Sequence, residues 1–244
     1  MPDIKKILVT AAGAVMIGAA QAVSAMFSTA EVDSERFPVM GVDVSHYQGE
    51  IDWSSLAQQN VKFAFIKATE GSGHVDEFAE KNIENAAETD ILLSAYHFFS
   101  FDSAGETQAE NFISAVDDET IDMPPVVDIE YYGDKRKNKP AKDETAEILR
   151  PLLEALEEHY GEKPIIYTTL PVYYRYIKDE FSDYPLWIRS VNFEPEFVDW
   201  QFWQYSDKGE LYGFSGDEKY IDLNVYKGTE EEFLSEYGKG GTEQ

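Results

Sequence analysis

Two acids stand two residues apart at the end of an apolar run, Val126-Val127-Asp128-Ile129-Glu130. In a β-strand, residues i and i+2 point to the same face, so Asp128 and Glu130 would project side by side. Two carboxylates in a poorly solvated spot are unfavourable unless one keeps its proton or both are well hydrogen-bonded. Such a pair has split proton affinities, which is what general acid catalysis requires. The structural alternative is that one acid caps a turn while the other stays solvated. Two more acids sit in strand-like runs: Asp43 in Gly41-Val42-Asp43-Val44-Ser45, and Asp222 in Ile221-Asp222-Leu223-Asn224. If the first and last strands of a closed sheet are neighbours, Asp43 and Asp222 meet, and four acids line one pocket.

Aromatic side chains accompany these acids: Tyr47, Tyr96, His97, Tyr131, Tyr167, Trp187, Trp203 and Tyr205. Aromatic faces stack on sugar rings while their polar edges bond hydroxyls. Tyr47, Tyr96, Tyr167, Trp187 and Trp203 are therefore candidate substrate contacts, whereas Phe98, Phe99 and Phe202 are assigned to the core. Acids and aromatics together suit glycoside hydrolysis, in which a carboxylic acid protonates the leaving oxygen and a second group supports positive charge at the sugar carbon. Other chemistries lack their parts. The chain has no cysteine, so no thiol nucleophile; it has neither a GxSxG elbow nor an HExxH pair, and its four histidines are scattered. No metal and no cofactor is expected.

Elements that position these groups alternate along the chain. Strand-like runs cover 39–44, 63–69, 92–98, 125–131, 164–168, 186–190, 200–205 and 220–226, with helix-like segments at 53–59, 75–88, 104–116, 143–160 and 172–181. Strands alternating with helices imply a parallel sheet. No glycine-rich phosphate turn follows the first strand, which disfavours an open nucleotide fold. The expected fold class is α/β, a TIM-like barrel with functional groups at the C-terminal strand ends and a helix-poor last third.

Lys5 and Lys6 precede an apolar run from 7 to 20, followed by small residues at 20–25. This is the order of a secretory signal peptide over 1–25, an uncleaved anchor being the alternative. A lead-in at 26–38, one catalytic domain at 39–230 and a tail at 231–244 complete the expected organisation. The net charge of −27 argues against nucleic acid and, beyond a possible N-terminal anchor, against anionic membranes as partners, since both require clustered cations. A monomer, secreted or retained in the cell envelope or periplasm, is expected.

From 39 to 228 the sequence resembles the glycoside hydrolase family 25 lysozymes. GVDVSHYQG (41–49), FAFIKATEG (63–71), SAYHFF (94–99), VVDIE (126–130), IIYTT (165–169), FWQYS (202–206) and IDLNVYKG (221–228) occur in the family's order. The resemblance implies an irregular (β/α)5(β)3 barrel that cleaves the β-1,4 bond between N-acetylmuramic acid and N-acetylglucosamine in bacterial peptidoglycan. It implies Glu130 as general acid and Asp128 as the residue that orients the 2-acetamido group of the muramic sugar in a substrate-assisted, retaining route. An inverting route, with a carboxylate activating water, is the alternative. Asp43 and Asp222 would line the pocket, and Gln204 joins the expected substrate contacts. The chain departs from the family pattern at Asn60 and His74, and after Leu186-Trp187-Ile188, where Arg189, Ser190 and Val191 replace an expected Ala and Tyr. Rival readings are a chitinase-like barrel, disfavoured by Pro124, Pro125 and Val126 ahead of the acids, and an inactive sugar-binding module, which should have lost an acid.

Overall fold

Alternation along each strand sorts the side chains into a barrel interior and an outer shell. The computed structural model describes residues 32–238; the expected signal peptide, residues 26–31 of the lead-in and residues 239–244 lie outside them. Eight strands close on themselves: β1 (Met40–Val44), β2 (Val61–Glu70), β4 (Leu92–Phe98), β5 (Val126–Ile129), β6 (Ile165–Thr169), β7 (Leu186–Arg189), β8 (Phe202–Gly209) and β9 (Ile221–Tyr226). A two-residue strand, β3 (His74–Val75), pairs antiparallel with the end of β2. Neighbours from β1 round to β8 are parallel. Among the eight barrel strands described, β9, inserted between β8 and β1, alone runs the other way. The fold is the irregular (β/α)5(β)3 barrel expected.

Five helices follow the first parallel strands: α1 (Trp53–Gln58), α2 (Ala79–Ala87), α3 (Gly105–Ala115), α4 (Lys142–Tyr160) and α5 (Leu170–Val172), the last continued by a π-helical turn at Tyr173–Ile177. Asp52 starts α1 by accepting the Ser55 amide at 3.0 Å, the usual role of a short acid at a helix N-cap. In α4, Leu149, Leu152, Leu153 and Leu156 form the buried stripe, and Gly161 ends the helix at φ +77°, a left-handed conformation that suits glycine. α2 begins four residues later than periodicity suggests. Val75 is engaged in β3 instead, and the Asp76 side chain accepts the His46 and Phe78 amides.

Inside the barrel, Phe63, Phe65, Val126, Ile165, Trp187, Phe202 and Tyr226 form an apolar floor. Phe65 and Trp187 stack with ring centroids 4.2 Å apart. The segment expected as a tail supplies α6 (Glu230–Tyr237), started by a Thr229–Glu232 capping box. Its Phe233 and Tyr237 seal the floor from below. A separate cluster, including Val42, Ala64, Ile66, Leu93, Val127, Ile188 and Trp203, fills the space between strands and helices. Phe37 of the lead-in packs into that shell against Trp200 and Trp203. Among the described residues no helix is long and apolar enough to cross a membrane.

Gly41 faces inward beneath Asp43, and a Cβ there would lie 2.4 Å from the Phe63 ring. The floor aromatic occupies the space a side chain would need. Gly41→Ala is expected to lower unfolding free energy by about 1–3 kcal/mol through overpacking, measured by chemical denaturation. An unchanged midpoint and slope would show that the floor is looser than described.

Candidate active site

The C-terminal ends of the parallel strands converge on a cavity of about 380 Å³ lined by Asp43, Asp128, Glu130 and Asp222. Strand register explains the convergence. Asp128 lies in β5 opposite Phe98 of β4 and Tyr167 of β6, and Glu130 follows two residues later, just past the strand end. Asp43 lies in β1 directly opposite Asp222 of β9. Because β9 runs against its neighbours, the start of that strand, and not its end, reaches the mouth. All four predicted acids are brought together.

A hydrogen-bond network holds Asp43 and Asp222. Gln204 Nε2 donates to Asp43 Oδ1 at 2.9 Å and to Asp222 Oδ2 at 3.0 Å. Asn224 Nδ2 donates to Asp43 Oδ1 at 2.7 Å. The two amides are oriented in turn: Tyr167 donates its hydroxyl to Gln204 Oε1 at 2.9 Å, and Trp187 Nε1 donates to Asn224 Oδ1 at 2.8 Å. Amide N–H donors converging on Asp43 Oδ1 favour a carboxylate there and leave that oxygen poorly placed to ligate a cation.

Asp128 is treated differently. It is 7% exposed, and its Oδ1 is buried with no hydrogen-bond partner among the described residues. Buried polar atoms are nearly always partnered, so an orphan oxygen facing a cavity is a place for a ligand donor.

Burial pushes all four carboxyls toward the neutral form. It lifts Asp43 to about 6, against the hydrogen bonds from Asn224 and Gln204. Asp222 rises to about 9 through burial and then the charge of Asp43. Asp128 moves well up, by burial first and then by the charges of Glu130 and Asp43. Glu130 also rises through burial, opposed by Arg189 and Arg136. The pocket therefore holds protons that exposed acids would have released at neutral pH.

Of the predicted sugar contacts, Tyr47, Tyr96, Tyr167 and Trp187 line the cavity, with Tyr47 half exposed at its rim. Gln204 lies below, reaching the cavity only through Asp43 and Asp222. Trp203 does not join them. Phe202 and Gln204 point inward, so Trp203 between them points into the outer shell, where its Nε1 donates to the Ser190 carbonyl at 2.9 Å. Its assignment as a cleft residue is corrected by the strand's own alternation. The same rule moves Phe98, read as core, into the cavity wall beside Tyr96. His97 between them faces outward to Thr69 and Gln108. Lys67 was missed altogether. It is inward on β2 with its ammonium 5.1 Å over the Phe98 ring and 2.8 Å from Glu70, and counting in twos from Phe63 and Phe65 would have found it. Asp207, Glu218 and Tyr220 also line the rim; Tyr220 stands two residues before Asp222 and is found by the same count, whereas Glu218 lies outside the strands.

Asp222 provides a test of this electrostatic description. A raised native pKa means that the fold keeps a proton the unfolded chain has lost. Its contribution is fully present below the ordinary 3.8 and is lost as pH climbs toward about 9. Wild type should lose stability on going from about pH 5 to about pH 9, and Asp222→Asn should lose less over the same interval. Parallel denaturation curves for the two proteins across that interval would contradict the assigned burial.

Comparison with known proteins identifies the family. The family model "Glycosyl hydrolases family 25" matches residues 42–214. A solved family 25 glycosyl hydrolase from Bacillus anthracis is 49% identical, covers 86% of this chain and 97% of its own, and superposes with a TM-score of 0.80. Lysozyme M1 of Streptomyces globisporus is 32% identical over 216 residues, 81% of this chain and 70% of that protein. An uncharacterized protein of Escherichia coli O157:H7, YegX, is 35% identical over 204 residues, 80% of this chain and 72% of that one. With its barrel, its acid-lined mouth and these matches, the chain belongs to glycosyl hydrolase family 25.

Proposed function

We propose that this glycoside hydrolase is a lysozyme acting on the glycan strands of bacterial peptidoglycan, at the β-1,4 bond between N-acetylmuramic acid and N-acetylglucosamine. The observation that carries the reading is the inward pair on β5: Asp128, with a buried oxygen lacking a partner, and Glu130, held toward the neutral form at the strand end. That the Streptomyces relative is a lysozyme supports the same substrate.

In this reading the acetamido group of the muramic sugar seats its N–H on Asp128 Oδ1. That donor stabilises the Asp128 carboxylate, so the proton of the coupled pair resides on Glu130. The acetamido oxygen attacks the anomeric carbon, the bond to the leaving oxygen breaks, and the Glu130 proton passes to that oxygen. Water then opens the cyclic intermediate as Glu130 takes back a proton, giving retention. Asp43 and Asp222 set the shape and charge of the sugar-binding wall, with Tyr47, Tyr96, Tyr167 and Trp187 against the ring. Gln204 acts through the two aspartates as a positioning residue. The chain works as a monomer with one catalytic domain, exported by its N-terminal segment and acting outside the cell or in its envelope.

Glu130→Gln is expected to abolish release of muropeptides with reducing N-acetylmuramic ends, followed by mass spectrometry of digested peptidoglycan. Asp128→Asn should retain measurable turnover, slower by about 10²–10³-fold. Because Glu130 must be protonated to donate, wild-type activity should fall on the alkaline side as its raised pKa is crossed. Full activity of the Glu130 variant would refute the assignment, and fragments ending in reducing N-acetylglucosamine would change the bond that is cut.

A further inference from the structure

Glu130 stands on the divide between the acid-lined cavity and a second one, also about 380 Å³. The second is built from the last residues of β6 and β7 and the segments that follow β5, β6 and β7, and its character is opposite. Arg136 and Arg189 line it, together with Thr169, Asn192 and Phe193. This is an unusual concentration for a chain with 20 Lys and Arg against 47 Asp and Glu. Arg189 is anchored, its Nη2 donating to Asp207 Oδ2 at 2.8 Å. Arg136 is anchored through Nε, which donates to the Tyr131 carbonyl at 3.2 Å. Anchoring in each case leaves other guanidinium N–H groups without a hydrogen bond among the described residues. Both charges are close enough to oppose the effect of burial on Glu130. Phe193, 57% exposed, provides an apolar wall.

We infer that this second cavity is an anion subsite that receives a carboxylate of the peptide attached to the muramic sugar, with Arg136 and Arg189 as its donors. The inference rests on the proposed lysozyme activity and extends it to the substrate's peptide. The sugar backbone, with its lactyl group in amide linkage, carries no charge, so anionic groups beside the scissile bond come from the peptide. Guanidinium forks match a carboxylate geometrically and stay charged at any working pH. On a surface of net charge −27, an anionic substrate is repelled unless local cations offset the field. Two arginines next to the acid supply that offset where the peptide must pass.

The test compares two synthetic tetrasaccharide substrates, identical except that one bears peptides with free carboxylates and the other has every carboxylate amidated. The full-chain wild type should prefer the free-carboxylate substrate by about tenfold in kcat/KM, mainly through KM. In Arg136→Gln and in Arg189→Gln that ratio should fall toward one, with Arg136→Lys recovering part of it. An equal rate on both substrates in wild type, or an unaltered ratio in both glutamine variants, overturns the subsite. If wild type hydrolyses neither substrate, the lysozyme reading itself fails. Calorimetric titration with the two substrates then still decides the subsite: tighter binding of the carboxylate form, lost in Arg136→Gln, supports it, and equal binding refutes it.

Discussion

Gathering four carboxyl groups at one end of a closed barrel is the constraint on which the rest of this structure depends. Each would be ionised and hydrated in water; here each loses solvent, and uncompensated burial of charge is among the most unfavourable events in folding. The compensation is built into the strands. Tyr167 of β6 orients Gln204 of β8, which bonds Asp43 of β1 and Asp222 of β9, while Trp187 of β7 orients Asn224 of β9 toward the same Asp43. Five of the eight strands are thus tied across the mouth by the groups that make its acids tolerable. Closure of the barrel and protonation of the site are one problem with one solution.

The direction of β9 belongs to that solution. Only an antiparallel strand brings the early residue Asp222 to the mouth while its later residues, Asn224 and Tyr226, descend past Asp43 toward the floor. Below the network the interior is aromatic and apolar, sealed by α6, and this low-polarity floor is what raises the carboxyl pKa values. Above it, Lys67 and Arg189 supply positive charge that limits the rise. The two acids of β5 are left outside the amide network, with Asp128 lacking a partner and Glu130 opposed by arginines. The wall acids are satisfied by the protein; the β5 acids await the substrate.

Much of this was legible in the chain, and the exceptions share a cause. The acid pair, the pairing of Asp43 with Asp222 and the helix-poor last third follow from strand spacing and order. Where residue type and alternation disagree, alternation wins: aromatic character suggests the cleft for Trp203 and apolar character the core for Phe98, yet counting in twos from Gln204 and Tyr96 puts each on the other face. Lys67 hid inside an apolar strand, where a single cation reads as an edge residue. Helix α6 reads as a tail because its charged first turn, Glu230 to Glu232, masks the two aromatic residues that dock it. Arg189 ends β7 two residues after inward Trp187, but Arg136 lies in the turn after β5, and that the two line one cavity is encoded by no local pattern.

The measurement closest to the central claim is a carbon-13 titration of the side-chain carboxyls in protein labelled at aspartate and glutamate, with Asp222→Asn and Glu130→Gln used for assignment. The account predicts a set of carboxyls that stay protonated well above the ordinary carboxylate range, Asp222 among them at about 9, with Asp43 following near 6 and Glu130 also displaced upward. If all four ionise with their exposed neighbours, the mouth is solvated and the proton needed for bond cleavage is not stored there.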